Sequence, residues 1–388
     1  MNKKIGLVVM FRLEAGGGAP RLVIDLIKDL NLLGYTVSLL NPFKLDYNHI
    51  EKMYNDPIKI AKVYGVNPIK RVFCKNSILG RKIIKKEFKK MAKDVDMIID
   101  IDGGIVHKYL PKNFDKSKYI VWRFAATKSK SANNLKNKRG IKRIIKDFIK
   151  KILFLEQNKT KNSLSKKYRV YPIDEMAKKR LAKIWGLSPE EILPHTIHTE
   201  DFLYKGQKKK NQIAVAVRFA PNKMIENSIK IFYLGTKKYK KYNLIIAGGI
   251  TPDSERYIEY LVELTKKLGI QDRVKMIKNP STEELKNIML ESKVLIDSQE
   301  DISMAMAPVE SMAAGNIILA HKSNGTYQET LMNGKFGFGF ESIKEGGEQM
   351  EKILEGLERK TINNKKSIKR ADFCSEKNFI KRLKEVLE

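Results

Sequence analysis

Three short stretches carry side chains able to do chemistry. The first is Val217-Arg-Phe-Ala-Pro-Asn-Lys223, entered from the apolar run Ile213–Val217. Arg218 offers a planar fork of donors and Lys223 a compact charge, a pair suited to a phosphate or diphosphate. Each charge-assisted hydrogen bond of that kind contributes about 1.5–3 kcal/mol. Taken alone, these seven residues fit a pair of solvated surface cations better. The second stretch is Gly16-Gly17-Gly18, which follows the apolar run Ile5–Met10. Glycines let a backbone approach a ligand, and a helix N-terminus behind them favours anions. The stretch has neither a following Gly-Lys-Ser/Thr nor the full G-x-G-x-x-G spacing, so a tight turn accounts for it equally well. The third runs from Ser298 to Gly315 and contains Glu310. A carboxylate there can accept two hydroxyls of a ribose or a sugar, or it can simply favour its helix N-terminus by about 0.3–1 kcal/mol.

These stretches need elements to hold them. Ile5–Met10 reads as a strand, and Leu22, Ile24, Leu26, Ile27, Leu30 and Leu33 mark a helix ended by Gly34. Thr36–Leu40 is a second strand, so the chain opens as a βαβ unit with a parallel sheet. Met97–Asp100 and Tyr119–Trp122 are later strands. Residues 46–93 and 128–167 are basic, helical in pattern and poor in strand signal. A second series begins near 211. Ile213–Val217, Asn243–Ala247 with Gly248-Gly249 after it, Val274–Ile277, Val294–Asp297 and Ile317–Ala320 alternate with helical runs. In such doubly wound sheets ligands sit beyond the C-terminal strand ends, where all three stretches fall.

A chain of 388 residues exceeds one compact core and predicts two domains. The expected division is 1–204, a polar linker at Lys205–Asn211, 211–370, and a terminal helix over 371–388 that packs back on the first domain. The two cysteines, Cys74 and Cys374, form neither a metal-ligand spacing nor a disulfide framework, which points to a reducing, cytoplasmic setting. The residues before Ile5 are too few for a signal peptide, and no apolar stretch approaches the roughly 20 residues that span a bilayer. The formal net charge is +32 and unevenly placed. Residues 1–210 hold 47 Lys/Arg and 20 Asp/Glu, a net of 47 − 20 = +27, against 29 − 24 = +5 for the rest. Compositional bias would charge both halves alike, so an anionic partner for the first half is the better reading.

The order of the pieces resembles the retaining glycosyltransferases of family 4 (glycosyl transferases group 1), which have the GT-B fold. Gly16-Gly-Gly-Ala-Pro-Arg21 is similar to that family's Gly-Gly-Ala-Glu-Arg opening, with Pro20 where Glu is usual. Residues 171–202 resemble the stretch before the interdomain linker, and Val217–Lys223 the Gly-Arg-hydrophobic-x-x-x-Lys signature. The segments starting at Leu244, Leu268, Ser281, Pro308, Ala320 and Asn333 follow in family order. The likeness covers 1–45 and 165–345 and is poor over 46–164, where these enzymes hold their acceptor. It implies an α/β fold of two Rossmann-like doubly wound domains facing across a cleft. It implies that Arg218 and Lys223 grip the diphosphate of a nucleotide-sugar, needing no metal and no further cofactor. Glu310 would hold the ribose, Gly17 and Gly18 would approach the donor phosphates and sugar, and Gly249 would join the donor site. Ser323, Asn324 and Gly325 would lie near base and ribose.

Two departures stand out. The family pairs two glutamates as E-x7-E, and the place of the first is Ile302 here; Glu300 and Asp301 precede it and substitute if the loop bulges. The family's donor-side histidine falls near Tyr119–Arg123, where Trp122 or Arg123 stands instead, and His107 is a candidate replacement. A lone histidine in a loop is otherwise ordinary surface decoration.

Over 128–167 there are 14 Lys/Arg against Asp147 and Glu156, and Ile141, Ile144, Ile145, Phe148, Ile149 and Ile152 recur at helical spacing. With the basic run Arg81–Lys90, this predicts peripheral contact with an anionic membrane or a lipid-phosphate acceptor. An ordinary domain helix is the bland alternative for the helix alone. The sequence thus reads as a glycosyltransferase acting on a glycan or lipid-linked acceptor. A GT-B scaffold that has lost catalysis and serves as a binding protein is the second reading. A nucleic-acid-binding role ranks below both, because no nucleic-acid module or interleaved aromatic pattern appears.

Overall fold

The computed structural model describes residues 3–15, 18–54, 58–65, 78–101, 106–123, 168–189, 191–251 and 254–388. Their packing divides the chain into two units between Leu193 and Pro194, with Gly18 grouped with the second.

In the first unit the described strands are β1 (Lys4–Val8), β2 (Thr36–Leu40), β3 (Lys62–Tyr64), β4 (Met97–Asp100), β5 (Tyr119–Arg123) and β6 (Arg169–Pro172). They form one parallel sheet in the order β3-β2-β1-β4-β5-β6. The central strands are short apolar runs because a parallel sheet is covered on both faces. Ile5, Leu7, Val37, Leu39, Ile98, Val121 and Trp122 are all buried. The helix Gly18–Leu32 buries Leu22, Val23, Ile24, Leu26, Ile27 and Leu30. It also buries Asp25, whose carboxylate takes an ion pair from Arg21 Nε at 2.8 Å. Strands β3 and β6 escape the sequence pattern because they are edges of three and four residues. Pro172 is tolerated in β6 for the same reason, since an edge strand can spare a backbone donor.

The second unit repeats the plan. Its strands are β7 (Gln212–Ala216), β8 (Asn243–Gly248), β9 (Val274–Lys278), β10 (Val294–Asp297), β11 (Ile317–His321) and β12 (Phe338–Phe340). The parallel order is β12-β11-β10-β7-β8-β9. This is a doubly wound sheet like the first, with the strand order reversing between β7 and β10. One core surrounds Ile213, Val215, Phe219, Ile229, Phe232, Leu244 and Ile246. The other, on the opposite face, holds Leu295, Val309, Met312 and Ile318.

The division lies earlier than the sequence suggests, and Lys205–Asn211 is not a free linker. Tyr204 N donates to Ala313 O at 3.0 Å. Lys209 Nζ donates among Leu290 O (3.2 Å), Ser292 O (2.6 Å), Ala314 O (2.8 Å) and Asn316 Oδ1 (2.6 Å). These carbonyls lie at the C-terminal ends of the helices Thr282–Glu291 and Met306–Ala313. A cation is favoured there, and four oxygens fasten the segment to the second unit. The terminal helix Glu376–Leu387 also falls in the second unit, entered through Ser375, which bridges to Ile197. The basic amphipathic stretch 139–152 lies outside the described residues.

Candidate functional site

In the second unit the strand order reverses between β7 and β10, so their carboxyl ends border the crevice where open sheets bind ligands. Beyond β7 the chain continues alongside β8: Val217 N donates to Ala247 O at 3.0 Å and Phe219 N to Gly249 O at 2.9 Å. Such close pairing requires Gly248. A Cβ there would collide with the carbonyl oxygen of Val217. Gly249, the glycine singled out in the sequence, has room, since a Cβ would stand 3.7 Å from Arg218 Cγ. Its neighbour Ile250 N donates to Asn279 Oδ1 at 2.9 Å, which ties the loop after β8 to the loop after β9.

Phe219 then buries itself completely, leaving Arg218 exposed before it. Pro221–Lys223 forms a single 3-10 turn, and Met224 follows in the left-handed region at φ 51°. That turn folds Lys223 back toward the strand ends. Its Nζ donates to Gln299 Oε1, just beyond β10, at 2.6 Å. Burial holds the Lys223 pKa below its ordinary value; the Arg218 charge lowers it further and Asp297 opposes both. Arg218 and Lys223 therefore share one locality at the strand end. The helix that follows, Ile225–Gly235, is fixed to β10 by Ser298 Oγ, which lies 2.7 Å from Ser228 Oγ and 2.7 Å from Met224 O.

The loop after β10 is organised by Asp297. This carboxylate is 3% exposed, and burial raises its pKa despite its hydrogen bonds. Oδ1 accepts from Gln299 Nε2 at 3.0 Å, while Oδ2 accepts from Thr326 Oγ1 at 2.9 Å and Asn324 Nδ2 at 3.2 Å. Asn324 Nδ2 also donates to Gln299 O at 3.0 Å, and its Oδ1 accepts from Tyr327 N at 2.9 Å. Asn324 is thus a buried hub. Ser323 Oγ lies 2.8 Å from His321 Nδ1 and accepts from Asp301 N at 3.0 Å. Gly325 N donates to Ile302 O at 2.8 Å. Asp301 sits at φ 50°, a left-handed conformation that is costly for a residue with a Cβ. Both Glu300 and Asp301 are exposed. Glu300 Oε1 is 3.9 Å from His321 Nε2. Glu310 is half-buried within the helix Met306–Ala313.

The remaining candidates present a different picture. Gly17 lies outside the described residues, and Gly18 is exposed at the start of its helix. His107 is not surface decoration: it is 3% exposed in the 3-10 turn Val106–Tyr109. Its ring meets Tyr168 edge-on at 5.6 Å. Burial, helped by Lys108, pushes its pKa down to about 4. Trp122 is fully buried, and its Nε1 donates to Leu193 O at 2.8 Å, so this side chain is committed to holding β5 against the end of the unit.

Sequence reasoning missed Asp297, Gln299, Thr326 and His321. The available signal was an aspartate closing an apolar strand, Val-Leu-Ile-Asp, at a position where burial demands polar partners. Among the described residues no group of three or more His, Cys, Asp or Glu is placed to hold a metal ion. No described helix is long and apolar enough to cross a membrane.

Comparisons with known proteins bear on the family and the fold. Residues 199–370 match the family model "Glycosyl transferases group 1". The chain is similar to a GDP-Man:Man(3)GlcNAc(2)-PP-Dol alpha-1,2-mannosyltransferase of Dictyostelium discoideum, 28% identical over 179 residues, 44% of this chain and 35% of that protein. It is also similar to the O-antigen chain mannosyltransferase RfbU of Salmonella typhimurium, 27% identical over 191 residues, 48% of this chain and 50% of that one. The matches thus span about a third and a half of those relatives. Among solved structures, Anabaena Alr3699/HepE in complex with UDP and glucose superposes with a TM-score of 0.71 at 13% identity, over 100% of this chain and 99% of that one.

Proposed function

On the premise that the second unit is a glycosyl transferases group 1 domain in a chain of the GT-B fold, we propose that this protein moves a sugar from a nucleotide-sugar to a glycan or lipid-linked acceptor. The carrying observation is the placement of Arg218 and Lys223 on the one loop beyond β7, with Lys223 bonded to Gln299 just beyond β10. Breaking the glycosidic bond leaves negative charge on the departing diphosphate. Two cations already in place stabilise that charge as it develops, and they do so without a metal or further cofactor. Attack from the face the diphosphate leaves, with the leaving phosphate taking the acceptor proton, retains configuration and needs no protein base. Mannose is the sugar we assign, because both relatives described above are named as mannosyltransferases.

Around the diphosphate, Glu310 holds the ribose and Ser323, Asn324 and Gly325 border the nucleoside. Gly17, Gly18 and Gly249 let the backbone approach the donor. Asp301, in its left-handed conformation, together with Glu300 supplies the sugar-side carboxylate that Ile302 cannot. The first half's net charge of 47 − 20 = +27 supports a peripheral site on the cytoplasmic face of an anionic membrane, where a lipid-phosphate acceptor would be met. The competing reading, a binding scaffold without catalysis, rests on Ile302.

The test is a panel of GDP-, UDP- and ADP-sugars with release of the nucleoside diphosphate as readout, followed by NMR of the product anomer. Turnover of GDP-mannose with retained configuration is expected. Binding of a nucleoside diphosphate with no transfer or hydrolysis of any donor selects the scaffold. Failure to bind any of the three overturns the assignment.

A further inference from the structure

The end of β10 carries two buried side chains, Asp297 and Gln299, to which the donor site proposed above gives no role. Asp297 and Gln299 are each 3% exposed. Asp297 Oδ1 accepts from Gln299 Nε2 at 3.0 Å, and at the other end of the same amide Lys223 Nζ donates to Oε1 at 2.6 Å. The amide has one possible orientation. A carboxylate only accepts and an ammonium only donates, so the NH2 group must face Asp297 and the oxygen must face Lys223. The carboxylate is held in turn by Thr326 and Asn324, and Asn324 also ties down the Gln299 carbonyl.

We propose that Asp297 and Gln299 are positioning residues that act through Lys223: the buried carboxylate orients the amide, and the amide aims the ammonium at the strand end beside Arg218. The proposal rests on the reading that this strand end takes a nucleoside diphosphate. Its physical logic concerns two problems that a phosphate clamp must solve. Two cations in one locality repel, and burying an ammonium is unfavourable, so something negative must offset both. A carboxylate in direct contact would do so but would also neutralise the charge the phosphate needs. An interposed amide transmits only part of the negative charge, fixes one of the three ammonium donors, and leaves two for a ligand. The charged groups that face Lys223 are Arg218 from the end of β7, which lowers its pKa, and Asp297 from the end of β10, which raises it.

The experiment is calorimetric titration of the full chain with GDP, UDP, ADP, CDP and dTDP at pH 6, 7.5 and 9, for the wild type, Asp297→Asn and Gln299→Leu. With the nucleotide the wild type binds best, Asp297→Asn should bind about tenfold more weakly at pH 7.5, the loss of one charge-assisted interaction. Removing the carboxylate lowers the Lys223 pKa further, so the deficit should grow toward pH 9 and shrink toward pH 6. Gln299→Leu should be weaker at every pH, and it tests the same relay if Asp297→Asn does not fold. Wild-type affinity in Gln299→Leu, or an Asp297→Asn deficit that is the same at all three pH values, overturns the relay and leaves the nucleotide site standing. A wild type that binds none of the five nucleotides removes the nucleotide site, and the relay with it.

Discussion

The two units share a doubly wound strand order and differ in what they place at its turning point. In the first unit β1 runs out through Val9 and Met10, both buried, and the neighbouring β4 ends in Asp100. In the second, β7 runs out through Arg218 and the neighbouring β10 ends in Asp297. The two aspartates occupy the same topological position, and each is almost fully buried. Asp100 accepts from Tyr119 Oη at 2.6 Å, from the adjacent strand. Asp297 is joined to Gln299, Asn324 and Thr326, which come from two loops, and through Gln299 to a lysine. The same scaffold therefore carries a cross-strand tyrosine bond at this position in one unit and a loop-borne cation site in the other. Backbone order fixes where a site can form; the side chains of the loops decide whether one does.

The sharpest way to break this comparison is to remove both cations. Arg218→Ala with Lys223→Ala should weaken nucleoside diphosphate binding by about 3–6 kcal/mol, or about 10² to 10⁴ in affinity by calorimetry. His107→Gln in the first unit should leave the nucleoside diphosphate affinity within about twofold of the wild type. Next in size is the glycine that lets β7 and β8 run together. Gly248→Ala forces a methyl into the Val217 carbonyl and should destabilise the second unit by about 3 kcal/mol, visible as a Tm lowered by roughly 6–12 °C. Gly249→Ala, one residue on, should move Tm by no more than about 2 °C, because surface-like substitutions stay within about 0.5 kcal/mol.

The third prediction concerns the first unit and acid. His107 has its folded pKa depressed to about 4, below an unfolded value of about 6.5. The unfolded chain therefore binds the proton first, and stability present above pH 6.5 is lost as pH falls toward 4. At pH 5 the loss should be about 2 kcal/mol, and His107→Gln should abolish that part of the acid sensitivity in urea melts. The smallest effect is expected at Trp122. Trp122→Phe keeps the ring buried but leaves Leu193 O without its 2.8 Å donor, costing about 1–2 kcal/mol without changing nucleotide affinity.

Much of the site is legible in the amino-acid sequence. Arg218, Lys223 and Asn324 stand in loops or turns after recognisable strands, and strand ends are where such sheets bind. Less legible are burial and mutual distance. His107 looks like a loop residue in sequence because its neighbours are mixed, yet Tyr168, far along the chain, packs against its ring. Lys209 reads as linker charge because nothing local accepts from it; its four oxygens come from positions 290, 292, 314 and 316.

The order of residues alone specifies the alternation of buried strands and amphipathic helices, the parallel sheets that follow from it, and the cations that flank Pro221. These are local or periodic properties, set by solvent exclusion acting on each segment. It takes the folded arrangement to settle that Gly248 rather than Gly249 is sterically required, that the units part at Leu193, and that Gln299 faces both Asp297 and Lys223. Those facts depend on residues from separate strand ends meeting at one place, and hydrogen bonds between remote partners leave no periodic trace in the chain.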